Sequence, residues 1–248
     1  MATRPSTIHS VRQFAALVAL TFLAACSDDI GLTAPGRSEA RLALQAPPHY
    51  PIIFVHGYNA SSATWLTMVS RFKIDGYTDA ELLNWSYDYR LSNATTASTL
   101  KAKVDSVLAA SGAHHVDIIT HSMGALSARY MVRNLLPLGD TRVDAIVTLG
   151  GTNHGTATAF GCTPISCSEM RLYSSFVTKL NYTDETWGTP RYGTWWSSCD
   201  EVIYPTSSAK LSGAINTQTA CIRHSQLHED FTVYTQVRDF VKQTPQGL

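Results

Sequence analysis

The chain has 248 residues, 44% of them hydrophobic and 15% charged, enough for one sizeable core and short for two. Nineteen Lys and Arg balance nineteen Asp and Glu, so no net positive field draws it to nucleic acid or to an anionic membrane surface. Function has to be argued from a site.

The N-terminus carries Arg4 and Arg12, the apolar run FAALVALTFLAA from Phe14 to Ala25, and then small residues and Cys26. This is the layout of an export signal, and twelve apolar residues are too few to cross a hydrocarbon core of about 30 Å as a helix. Leu23 to Cys26 reads LAAC and resembles the lipobox of bacterial lipoproteins, in which the cysteine is lipidated. The resemblance implies a signal over residues 1–25, a lipidated Cys26 and a flexible tether over 26–46, with the protein anchored to the cell envelope. An ordinary cleaved signal, leaving Cys26 as an incidental thiol on a secreted protein, is the alternative. Cysteine arithmetic favours the anchor: of five cysteines, assigning Cys26 to lipid leaves Cys162, Cys167, Cys199 and Cys221 as an even set. Three pairings are open to them, and proximity favours Cys162 with Cys167 and Cys199 with Cys221.

A domain over 47–248 follows. PIIFVHG (51–57) is a continuous apolar run ended by glycine, as expected of a strand buried on both faces. Trp65, Met68, Val69 and Phe72 are spaced for a helix that stops at Gly76. Residues 80–89 (AELLNWSYDY) suit a second strand and 97–112 a helix ending at Gly112. HVDIITHS (115–122) is a third strand, MGALSARYMVRNLL (123–136) a helix stopped by Pro137, and VDAIVTLGG (143–151) a fourth strand. YGTWWSS (192–198) and CDEVIYP (199–205) read as extended, and 230–243 as a final amphipathic helix. Strands alternating with helices imply an α/β fold, a mostly parallel sheet with helices on both faces.

Ser122 lies between a predicted strand and a predicted helix, in THSMG. At the carboxyl end of such a strand, a sharp turn exposes a serine hydroxyl, and small residues are wanted two places to either side. Gly124 meets that demand and Thr120 departs from it; the competing reading is a plain helix N-cap at Ser122. A nucleophilic serine needs a histidine to take its proton, an acid to orient that histidine, and two N–H groups for the oxyanion. The turn at His56-Gly57 would aim the N–H of Tyr58, and Met123 would supply the other. His56 itself reads as a buried histidine holding this loop. The chain order Ser, acid, His selects late residues. Asp144 precedes its strand and so sits at the wrong end of the sheet, and Asp184 and Glu185 lack an evident strand before them. Asp200 follows the best late strand, while the adjacent Glu201 is expected to point the other way. His154 precedes the acid. Of the two histidines after it, His224 is preferred because a Cys199–Cys221 bridge would bring it beside Asp200, leaving His228 at the surface or in support.

Together, PIIFVHGY, THSMGALSARY, LGGTNHGT, FVTKLNYTDETWGTPRYGTWWSSCDEVIYP and ACIRHSQLHED resemble the secreted bacterial lipases and esterases of the α/β-hydrolase fold, the class 2 lipase group, in their actinobacterial type. The resemblance runs from about Pro51 to Val241. It implies nucleophile Ser122, acid Asp200, base His224 and oxyanion donors Tyr58 and Met123, with a disulfide beside the triad. Members of the group also replace the first glycine of the serine signature, commonly by alanine. Hydrolysis of carboxylic esters through an acyl-enzyme is the implied activity, on a lipid or other ester. Transfer of the acyl group to an alcohol or glycan is the alternative; a non-catalytic binding protein is disfavoured because all three triad positions are filled. No cofactor, metal or nucleic acid is expected, a membrane is met only through the lipid anchor, and the protein is expected to be a monomer. Residues 155–180, with Phe160, Ile165, Met170, Leu172, Tyr173 and Phe176, would line an acyl pocket, act as a lid or simply pack the core.

Overall fold

A computed structural model describes residues 49–242. The stretch expected to be a signal, Cys26 and the expected tether over 26–46 lie outside the described residues. Six strands form one parallel sheet in the order β2-β1-β3-β4-β5-β6: β1 (Ile52–Val55), β2 (Leu82–Asn84), β3 (Val116–His121), β4 (Val143–Leu149), β5 (Arg191–Trp196) and β6 (Ile215–Gln218). Six α-helices connect or flank them: α1 (Leu66–Ile74), α2 (Asn93–Ser111), α3 (Gly124–Asn134), α4 (Ile165–Met170), α5 (Ser175–Leu180) and α6 (Phe231–Val241). None of the described helices is long and apolar enough to cross a membrane.

Every residue of β1 is fully buried, because successive side chains feed opposite faces of the sheet. Ile52 and Phe54 join Trp65, Phe72, Ile119, Val237 and Phe240 under α1 and α6. Ile53 and Val55 join Leu100, Val104, Ile118, Met131 and Ile146 under α2 and α3. Helices therefore cover both faces, as the alternating pattern implied.

Several boundaries differ for tertiary reasons. The second strand shortens to Leu82–Asn84: it pairs only with β1, and the chain then leaves the sheet as the Tyr87 N–H donates to His56 Nε2 at 3.2 Å. Helix α2 begins earlier than expected, because Glu169, far away in sequence, accepts bonds from the Asn93 N–H (2.7 Å) and the Ser92 hydroxyl. CDEVIYP is a run of turns instead of a strand, since Asp200 Oδ1 captures the N–H groups of Val202 and Ile203 at 2.9 and 2.8 Å. Ile215–Gln218 is a sheet edge whose residues are mostly exposed, so it carries no apolar alternation to read. The final helix is capped by Asp230, which accepts from the Val233 N–H at 2.9 Å.

Candidate active site

Strand β3 delivers its last residue, His121, to a turn at which Ser122 adopts φ +55°, the left-handed region, before α3 begins at Gly124. A serine held there is strained, and the strain presents its hydroxyl above the carboxyl end of the sheet. The N-cap position of α3 belongs to Met123 and has no side-chain cap, so the cap reading of Ser122 does not hold. Gly124 is required by close approach: a Cβ there would lie 2.5 Å from Val55 O and 2.7 Å from His56 O. Gly57 faces the serine just as closely, its imagined Cβ 2.7 Å from Ser122 Cβ. Thr120 is accommodated by turning its hydroxyl onto the sheet, where Oγ1 donates to Val147 O at 2.9 Å.

The loop after β1 is fixed by His56. Its Nδ1–H donates to Gly57 O at 2.9 Å, Nε2 accepts from Tyr87, and the ring stacks on Tyr87 at 4.0 Å. Among the described residues, neither the Tyr58 nor the Met123 main-chain N–H has a hydrogen-bond partner; Met123 follows Ser122 in the chain, and Tyr58 lines the same cavity as Ser122.

Asp200 and His224, separated by 24 positions, meet through a 2.8 Å bond between Nδ1 and Oδ2, and both are buried. Oδ2 binds the ring while Oδ1 takes two backbone N–H groups, so the carboxylate is locked on both oxygens. Nδ1 consequently carries the imidazole proton and Nε2 is left as the basic atom. Disulfides Cys162–Cys167 and Cys199–Cys221 are both present, the second with Cα atoms 5.1 Å apart beside this pair. The Ser197 hydroxyl reinforces the same junction, accepting from the Cys199 N–H at 3.1 Å and the Ile222 N–H at 3.0 Å.

Ser122 and His224 line one cavity of about 500 Å³, together with Tyr58, Thr156, Met170 and Val202. Ser122 Oγ makes no hydrogen bond among the described residues, and contacts of this kind often tighten only once a substrate is bound. Of the six apolar residues along 155–180, expected to line a pocket, act as a lid or pack the core, Met170 lines the cavity, Phe176 packs against the buried cluster around Met170 and Val177, and Phe160, Ile165 and Tyr173 are exposed.

The other candidates are engaged elsewhere. Asp144 pairs with Arg191 at the opposite end of the sheet, Glu185 pairs with His154 at 2.9 Å, and Asp184 accepts from the Thr186 N–H. Glu201 turns toward the site, contrary to expectation, because no extended strand is present to send it away; its Oε2 accepts from the His224 N–H at 3.1 Å. His228 lines the cavity. Gly150 is a site residue that the sequence did not single out: at φ +52°, its imagined Cβ would lie 3.0 Å from both Asp200 Oδ2 and His224 Nδ1. Among the described residues no group of three or more His, Cys, Asp or Glu is placed to hold a metal ion.

Burial lowers the pKa of His56, His121 and His228 below the usual histidine value. The unfolded chain takes up these protons near pH 6.5 and the folded chain only at lower pH, so the unfolded state binds more protons as pH falls below about 6.5. This contribution to stability is complete above that pH and is lost on acidification. Asp117 has the opposite sign: burial, then the neighbouring Asp144, raise its pKa, so it keeps a proton that the unfolded chain has lost and costs stability as pH rises above about 4. With three histidines against one carboxyl, the urea midpoint is expected to be lower at pH 5.5 than at pH 7.5, and an equal or higher midpoint at pH 5.5 would contradict this balance.

Solved structures share the architecture. Bacillus licheniformis lipase BlEst2 in its mature form superposes with a TM-score of 0.68 at 16% identity, covering 79% of this chain and 94% of that one. Aspergillus fumigatus lipase B gives 0.65 at 15% identity over 89% and 62% of the two chains. The product of the gene lin2722 of Listeria innocua gives 0.61 at 11% identity over 80% and 96%. At such identities the likeness is one of fold, the α/β-hydrolase fold of the two lipases. A family model described as Lipase (class 2) matches residues 49–242.

Proposed function

The chain belongs to the class 2 lipase family and is a carboxylic ester hydrolase, and we propose that it acts through an acyl-enzyme on Ser122, with His224 as base and Asp200 as its orienting acid. The observation that carries this reading is the 2.8 Å bond from His224 Nδ1 to a doubly anchored Asp200, at a cavity shared with a serine on a left-handed turn. Ser122 Oγ attacks the ester carbonyl carbon as its proton passes to His224 Nε2, and the carbonyl oxygen becomes an oxyanion held by the N–H groups of Tyr58 and Met123. Collapse breaks the bond to the alkoxy oxygen, which leaves as the alcohol with the proton from His224. Water then repeats the sequence and releases the carboxylic acid.

Residues 155–180 contribute to the acyl side through Thr156, Met170 and the wall at Cys162, all of which line the cavity. The two disulfides suit an oxidising compartment outside the cytosol. Anchoring through Cys26 rests on the LAAC sequence.

Rapid quench of the protein with p-nitrophenyl butyrate should release a burst of one nitrophenol per protein, and the peptide containing Ser122 should carry the butyryl mass. Added alcohol should divert little of that acyl group from water. Predominant ester formation with the alcohol would instead favour the transferase alternative, and steady nitrophenol release without a Ser122 adduct would remove the acyl-enzyme.

A further inference from the structure

His121 immediately precedes Ser122, and the proposed mechanism gives it no task. It is nevertheless buried, and among the described residues it is the side chain of β3 that hydrogen-bonds to the loop carrying the base: His121 Nε2 lies 3.1 Å from the main-chain oxygen of His224. A carbonyl oxygen only accepts, so Nε2 carries the proton and donates. The ring also packs against the His224 ring at a centroid distance of 4.5 Å, and meets the His228 ring edge-on at 4.9 Å.

The other bonds to His224 do different work. Asp200 holds Nδ1 and so controls how the imidazole is rotated, while Glu201 holds the main-chain N–H from the acid loop. Both fasten the base to the loop after β5. His224 begins a turn of three residues, His224–Gln226, with no strand ladder to locate it. The His224 carbonyl also accepts from the Leu227 N–H at 3.4 Å within that turn, and among the described residues only the His121 bond ties it to the strand that ends one peptide before Ser122. We infer that His121 is a positioning residue, whose Nε2–H bond to the His224 carbonyl sets the separation between the serine's turn and the base. This rests on the acyl-enzyme reading of Ser122 and His224. Burial, with His224 and His228 alongside, keeps the imidazole neutral, and His56 is the remaining ionisable neighbour. Neutrality matters because a second positive ring at this distance would oppose the imidazolium that His224 becomes during attack.

Three substitutions separate the bond from mere bulk. Glutamine places an amide N–H near where Nε2 stands, phenylalanine keeps a ring without a donor, and asparagine has a donor that is too short. His121→Phe and His121→Asn should lose about 10- to 100-fold in kcat on p-nitrophenyl butyrate with KM within about twofold, the scale of a misplaced catalytic group. His121→Gln should stay within about fivefold of wild type. Equal kcat in His121→Phe and wild type, or no recovery by His121→Gln, overturns the inference. Should the variants not fold, the wild-type protein still tests it: two-bond ¹H–¹⁵N correlation must show His121 protonated at Nε2, and protonation at Nδ1 overturns it. Labelling with a fluorophosphonate distinguishes the two levels of the argument. Wild type that is not labelled at Ser122 removes the acyl-enzyme reading and this inference with it. Wild type labelled at Ser122, with His121→Phe labelled at the same rate, removes the His121 role alone.

Discussion

Ser122→Ala is expected to lower kcat on a p-nitrophenyl ester by about 10⁴- to 10⁶-fold while leaving the melting temperature nearly unchanged. The two halves of this expectation have separate causes. Catalysis falls because alanine has no oxygen to form the acyl bond, and what remains is the contribution of binding and of the two oxyanion donors. The fold persists because Ser122 Oγ makes no hydrogen bond among the described residues, while the turn itself is held by main-chain bonds from the Ser122 N–H to Leu149 O (3.0 Å) and from the Thr152 N–H to Ser122 O (3.3 Å). Alanine also retains a Cβ, so the packing of Gly57 against position 122 is preserved. His224→Ala should be equally damaging, and the double variant no worse than either alone, because the two residues act on one proton. Independent, multiplying losses would show that they do not work together.

Asp200→Asn is expected to cost about 10⁴-fold in kcat with the fold intact, through a reversal of one proton's position. The asparagine oxygen can still accept from the Val202 and Ile203 N–H groups, so the turn survives. Its amide then faces His224 Nδ1 as a donor where the carboxylate accepted at 2.8 Å. Nδ1 must become the acceptor, the proton moves to Nε2, and the imidazole presents an N–H to Ser122 in place of a lone pair. The geometry would look correct while the base is lost. A fall of less than tenfold would mean that Asp200 does not fix the tautomer, and Glu201, which already touches the His224 main chain, would be the acid to test next.

Much of this was legible in one dimension because it is locally encoded. An uninterrupted apolar run marks a strand buried on both faces, as in β1, a mostly apolar one marks β4, and apolar residues at helical spacing mark α1 and α6. Gly124 and Gly57 are likewise visible as glycines beside the serine and the first turn, although the reason for them, contact distances below 3 Å, is three-dimensional. The order of Ser122, Asp200 and His224 is a property of the chain, and so is the even set of four late cysteines. What the sequence by itself determined was the parallel α/β plan and which residue types stand at the ends of its strands.

The tertiary structure decided everything that depends on what those ends face. Asp200 spends one oxygen on a local turn, and this replaces the strand that CDEVIYP resembled. Glu201 is thereby turned toward the base, Glu169 moves the start of α2 from 76 positions away, and Gly150 proves to abut the Asp200–His224 pair. The bond from His121 to His224 joins residues 103 positions apart. Hydrophobic period records only whether a side chain is buried; it holds no record of its partner, because the partner is fixed by the register of a sheet that exists only once the whole chain has packed.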